Sequence, residues 1–151
     1  MNIEKEIHQK EFASEHNKAI VNLVYTYNWT VEQLKAIFKR EKITMQQFNI
    51  LRILRGSKVA LSTMQIRDRM LDKMSDTSRI VDRLLTKGLV TKKTCSADNR
   101  LVDILITKKG LNVLSKLDVY QKELEQIVGA LSIKEAQQLN TLLDKIRSKK
   151  A

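Results

Sequence analysis

The stretch SDTSRIVDRLLTKGLVTKKTCSADNRLVDILI, residues 75–106, changes its apolar period once, and that change decides the fold. Ile80, Val81, Leu84 and Leu85 recur at three- and four-residue steps, the period of a helix with one face on a core. Gly88 ends that helix, because glycine tolerates the left-handed conformation required just past a helix end. Leu89-Val90-Thr91-Lys92-Lys93-Thr94 is then rich in β-formers, and Val102, Ile104 and Ile106 alternate with Leu101, Asp103 and Leu105. Ser96-Ala97-Asp98-Asn99 between them suits a hairpin tip. A helix followed by a β-hairpin results.

Upstream, Ser62 and Gln65 form a capping-box pattern, in which a hydroxyl and an amide each satisfy a free backbone N–H. It opens a short helix with Ile66 and Met70 on one face, and the periodicity breaks between Asp72 and Ser75. Two turn-linked helices are therefore predicted before the hairpin. Thr44 and Gln47 repeat the box for a helix carrying Phe48, Leu51 and Leu54 inward and ending at Gly56. Before it, Phe12, His16, Ile20, Leu23, Val24, Tyr27, Val31, Leu34 and Phe38 trace one long helix over about residues 6–40. Beyond the hairpin, Thr107 caps a long helix reaching about residue 130, and Ser132 with Glu135 caps a last one burying Leu139, Leu142 or Leu143, and Ile146.

The expected fold is mainly α: one domain over 1–151, with a winged helix-turn-helix lobe at about 44–107 carrying a two-stranded β wing. Long helices at about 6–40 and 108–148 flank it, and their spare apolar stripes are read as a homodimer interface.

Composition narrows the partners. The 151 residues carry a formal net charge of +11, which favours polyanions: nucleic acid or an anionic membrane surface. Residues 55–110 hold 13 Lys or Arg against 6 Asp or Glu, a net of +7, leaving +4 for the other 95. No apolar run approaches the roughly 20 residues that cross a bilayer, and MNIEKEIHQK lacks a signal peptide's apolar core. A cytoplasmic location with no membrane partner is expected, and the single cysteine, Cys95, fits a reducing compartment.

The helix at about 75–87 is the candidate reader of DNA. With Ile80, Val81, Leu84 and Leu85 inward, spacing turns Ser75, Asp76, Thr77, Ser78, Arg79, Asp82 and Arg83 towards solvent near its start. Short hydroxyls let a backbone approach phosphate, and Arg can pair with guanine O6 and N7 in the major groove. Lys92 and Lys93 lie on the wing strand. At the wing's tip Arg100 suits a narrow minor groove, with Asp98 placed to hold its guanidinium. Lys108 and Lys109 oppose the dipole of their helix, so an anion nearby, such as a phosphate, is expected.

Four stretches together resemble the MarR family of bacterial winged-helix regulators. They are Thr44-Met45-Gln46-Gln47-Phe48 through Leu54-Arg55-Gly56, the run Arg79-Ile80-Val81-Asp82-Arg83-Leu84 to Lys87-Gly88-Leu89-Val90, the Asp98-x-Arg100 wing, and Ile106-Thr107-x-x-Gly110. The resemblance implies a dimer with interlocked terminal helices on a pseudo-palindromic operator, usually a repressor released by a small molecule or by oxidation. By position it gives major-groove contacts to Ser75 through Arg79 and to Arg83, and the wing contact to Asp98 and Arg100. It also implies an aromatic effector in a cleft between dimerisation helices and reader, for which Tyr25, Tyr27 and Trp29 are the candidates.

Other signals point elsewhere. Redox-sensing relatives carry their thiol in the first helix, which places Cys95 outside that pattern. His8 and His16 have no partners at metal-ligand spacing, and no phosphate loop, nucleophile elbow or HExxH occurs, so neither a cofactor nor an enzyme is expected. Two rival readings remain: a winged-helix module for an acidic protein partner, and a non-specific architectural DNA binder.

Overall fold

The computed structural model describes residues 2–57, 59–95 and 98–148, and of residues 94, 95 and 98–102 the backbone alone. A short helix α1 (Ile3–Glu6) precedes α2 (Glu15–Arg40) and α3 (Met45–Ser57). Then come β1 (Leu61–Ser62), α4 (Thr63–Arg69), α5 (Thr77–Thr86), β2 (Val90–Cys95) and β3 (Asp98–Ile106). Three helices close the chain: α6 (Lys108–Asp118), α7 (Gln121–Gln126) and α8 (Ile133–Arg147).

The three predicted capping boxes are formed. Thr44 and Gln47 exchange bonds at 3.2 Å each, and both Ser62–Gln65 and Ser132–Glu135 make the reciprocal box. Gly88, with φ +67, ends α5: its N–H donates to Leu85 O and that of Leu89 to Leu84 O, the paired bonds of a Schellman motif. The same bond pair ends α2, from Lys42 to Lys39 O and Ile43 to Phe38 O. There the left-handed residue is Lys42, at φ +56, where a side chain costs about 1 kcal/mol or more over glycine.

The core gathers on α3, which packs against α2, α4, α5, α6 and β3. Ile50, Leu51, Ile66, Leu84, Ile104 and Leu114 are fully enclosed, and cutting one such side chain to Ala costs roughly 2–5 kcal/mol. Ion pairs tie the outer helices down. Arg55 grips Asp118 with two bonds, of 2.7 and 3.2 Å, and Arg40 grips Glu123 with two of 2.7 Å while its guanidinium stands 4.9 Å from the Tyr120 ring.

Five expectations need correction. The wing is part of a three-stranded antiparallel sheet in the order β1-β3-β2, because Leu61 and Ser62 pair with Ile104 and Asp103. The first long helix begins at Glu15: Ser14 caps it through the Asn17 N–H, His8 is left-handed at φ +54, and Phe12 lies outside it. The helix after Thr107 breaks after Asp118, and α7 is a separate short piece. Gly56 lies within α3, which runs to Ser57. Finally, α8 buries nothing, with Leu142 57% and Ile146 65% exposed, and Ile20, Val24 and Tyr27 on α2 are likewise uncovered.

Candidate nucleic-acid interface

α5 is held on three sides and open on the fourth. Thr77, Val81 and Leu84 are sealed inside, the Asp76 carboxylate accepts the Arg79 N–H at 3.1 Å, and Leu89 closes the far end. Ser78, Arg79, Asp82 and Arg83 stay exposed on the remaining face, with Arg79 and Arg83 one turn apart. A helix fixed this way presents that face without the ordering cost of a mobile segment.

The end of α5, the base of the wing and the start of α6 are one joint. Thr107 caps α6 by accepting the Gly110 N–H at 3.1 Å, its hydroxyl donates to Gly88 O at 2.8 Å, and its N–H donates to Leu89 O at 3.1 Å. A Cβ on Gly110 would collide with the Leu89 carbonyl oxygen and stand 2.8 Å from Ile106 Cγ1. The angle between α5 and the hairpin is set here.

The predicted residues divide. Ser75 is half-buried, its hydroxyl donating to Asp72 O at 2.8 Å, and Asp76 is engaged in its cap. Thr77 was expected towards solvent and is 4% exposed with its hydroxyl unpartnered, because it shares the inward face of Val81 and Leu84. That i, i+4, i+7 spacing was readable in the sequence. Lys92 reaches back from β2 to Asp82 at 3.1 Å, joining wing to reader, and Lys93 is exposed beside it. Asp98 and Arg100 belong to the backbone of β3, which begins within the expected tip of residues 96–99; their side chains, that of Cys95, and residues Ser96 and Ala97 lie outside the described residues.

Two lysines have structural partners that the sequence did not reveal. Lys87 Nζ donates to Lys42 O at 2.6 Å and to Gln47 Oε1 at 3.1 Å, pinning the end of α5 to the α2–α3 corner. Lys109 Nζ donates to Lys87 O at 2.8 Å. The negative neighbour expected for Lys109 is thus the C-terminal end of α5, where the helix dipole favours a cation. Lys108 is exposed.

A sequence model described as MarR family matches residues 43–102, the stretch from the start of α3 into β3. That stretch is a MarR-family domain. Solved MarR structures repeat its fold. A mutant MarR from E. coli complexed with operator DNA superposes with a TM-score of 0.81 at 20% identity, covering 92% of this chain and 100% of that one. A MarR transcription factor from Planctomyces limnophilus is 29% identical, with a TM-score of 0.67 over 89% and 98% of the two chains. BpsR of Bordetella bronchiseptica, whose DNA binding is regulated by 6-hydroxynicotinic acid, is 22% identical with a TM-score of 0.73 over 83% and 96%. The chain thus carries a MarR-family domain within a fold that solved MarR structures share.

The aromatic residues proposed from the MarR resemblance do not converge. Tyr25 and Trp29 line a hollow of about 230 Å³ beneath α1, where the Tyr25 hydroxyl donates to Glu6 at 2.8 Å and is held above its usual titration range by that bond. Trp29 also borders a second hollow beside α7, and Tyr27 a third beside the α2–α3 corner. The cleft between helical frame and reading lobe, about 500 Å³, is lined instead by Leu34, Phe38, Phe48, Arg52, Leu71 and Leu124, among others. Among the described residues no three His, Cys, Asp or Glu side chains stand where they could hold a metal ion, and no helix is long and apolar enough to cross a membrane.

Proposed function

We propose that this MarR-family regulator is a repressor that binds a pseudo-palindromic operator as a homodimer. The carrying observation is the exposed Ser78, Arg79, Asp82 and Arg83 face on a helix whose other faces are fixed. Arg79 and Arg83 reach base edges in the major groove, and Ser75, Asp76 and Thr77 bring the start of α5 up to the phosphates, Thr77 through its backbone. Lys92 and Lys93 hold the flanking backbone, and Asp98 with Arg100 enters the minor groove. Two copies set their α5 helices roughly 10 bp apart.

The dimer reading draws support from apolar side chains left uncovered on both terminal helices, such as Ile20 and Val24 of α2 and Leu142 and Ile146 of α8. Surface of that kind is expected at an interface. An aromatic effector is proposed by analogy with BpsR and 6-hydroxynicotinic acid. The site of action is the cytoplasm.

Selection of bound sequences from a random duplex pool tests this reading. A two-fold-symmetric motif is expected, with Arg79→Ala relaxing one position by roughly 1–3 kcal/mol and binding falling steeply with salt. A folded protein that enriches no motif would overturn sequence-specific regulation and return a protein partner or non-specific binding as the better account.

A further inference from the structure

The hollow of about 230 Å³ between α1 and α2 has a chemistry unlike the rest of this basic surface. Tyr25 and Trp29, one turn apart on α2 and both exposed, give it two aromatic walls. Glu6 on α1 adds a carboxylate, and Asn2 and Asn22 add amides. Among the described residues that line it, Glu6 carries the one charge, with no lysine or arginine beside it. Lys18, which faces α1, is already paired with Glu4 at 2.5 Å. The chain as a whole carries +11, but charges more than about 8 Å away are largely screened at physiological salt, so the local carboxylate sets the sign.

The site is held together and stays open. Ile3 is buried, and Glu6 Oε2 accepts the Tyr25 hydroxyl at 2.8 Å, which fixes the carboxylate against the rings. At roughly 100° per residue, Asn22, Tyr25 and Trp29 lie on the side of α2 opposite Ile20, Val24 and Tyr27. A second copy seated on that uncovered apolar stripe would therefore leave the hollow accessible.

Aromatic faces attract cations, indole most strongly, and methylated ammonium ions in particular match an aromatic wall with apolar contact as well as charge. The volume falls below the 300–1,000 Å³ usual for larger ligands, which favours a compact one. We propose that this hollow binds a small organic ammonium of the methylated or quaternary class, set against Trp29 and Tyr25 with its charge beside Glu6. The claim stands apart from the DNA-binding reading.

Trp29 is the single tryptophan of the chain, so its emission reports on the hollow directly. The test is titration of the purified protein with choline chloride at constant ionic strength, with sodium chloride as the blank and the uncharged isostere 3,3-dimethyl-1-butanol as the reference. A saturable change in the millimolar range is expected, with choline about fivefold or more tighter than the alcohol. Glu6→Gln keeps an oxygen that can accept the Tyr25 hydroxyl and removes only the charge, and is expected to weaken choline roughly fivefold. Tyr25→Phe loses the bond to α1 but keeps ring and carboxylate, and is expected to stay within about twofold, which separates charge from the attachment of α1. Trp29→Leu, followed by calorimetry, is expected to weaken choline roughly tenfold. Equal response to choline and the alcohol, no saturable response, or choline binding unchanged in Glu6→Gln would overturn the site. Loss in Glu123→Gln with Glu6→Gln unaffected would also overturn it, by moving the ligand to the hollow on the other flank of Trp29.

Discussion

The Thr107 hydroxyl donates to the Gly88 carbonyl at 2.8 Å, joining the start of α6 to the residue that ends α5. The same oxygen accepts the Gly110 N–H, and Gly110 leaves no room for a side chain against Leu89. Thr107→Val loses both bonds and is expected to cost about 1–2 kcal/mol in denaturant unfolding, with Thr107→Ser recovering most of it. Gly110→Ala is expected to cost roughly 1–3 kcal/mol through overpacking and to weaken DNA binding by misaligning the wing. A Gly110→Ala protein as stable as wild type would show that the joint yields freely.

Thr77 carries a buried hydroxyl with no partner. Replacing it with the isosteric valine removes that unpaired group without changing volume much, so Thr77→Val is expected to be neutral or to stabilise by up to about 1 kcal/mol. DNA affinity should stay within twofold, because the side chain faces the core. A tenfold loss of affinity would mean that the hydroxyl reaches DNA.

Asp82 places a carboxylate on the exposed face of α5, balanced by Lys92 at 3.1 Å. Asp82→Asn removes a charge that phosphates repel and releases the lysine. Affinity for random duplex measured by fluorescence anisotropy is expected to rise severalfold, with a steeper salt dependence. Unchanged affinity would remove Asp82 and Lys92 from the DNA-facing surface.

The Arg40–Glu123 pair gives a pH signature. The bidentate bond from Arg40 holds the Glu123 carboxyl below its ordinary value and raises the Arg40 guanidinium. A carboxyl lowered on folding contributes stability above its unfolded value and loses it as pH falls through the folded one. Wild type is therefore expected to exceed Glu123→Gln near neutral pH, the difference vanishing on acidification below the usual carboxylate range. Urea melts of both proteins across that range check it, and a difference that is constant with pH would exclude the ion pair as its source.

Much of the fold was legible because its signals are local. Thr44 with Gln47, Ser62 with Gln65 and Ser132 with Glu135 satisfy backbone groups three residues away, so the pattern suffices to place a helix start. The same holds for the exposed arginines of α5, whose orientation follows from the apolar spacing around them. Strand β1 escaped notice because two residues, Leu61 and Ser62, carry no period, and its partner Ile104 lies far along the chain. The break after Asp118 escaped because Leu111, Leu114, Leu117 and Leu124 keep a helical stripe across it.

The sequence by itself determined the order of helices, turn and hairpin, the end of α5 at Gly88 and the concentration of positive charge around the reader, since these depend on residue type and short spacing. Tertiary structure decided which of those charges are engaged. Lys87 and Lys109 look like any surface lysines until folding brings Lys42 O, Gln47 and the end of α5 within hydrogen-bond reach across 22 to 45 residues. No local pattern encodes such partners, because their proximity arises from the packing of α3 against α2, α5 and α6.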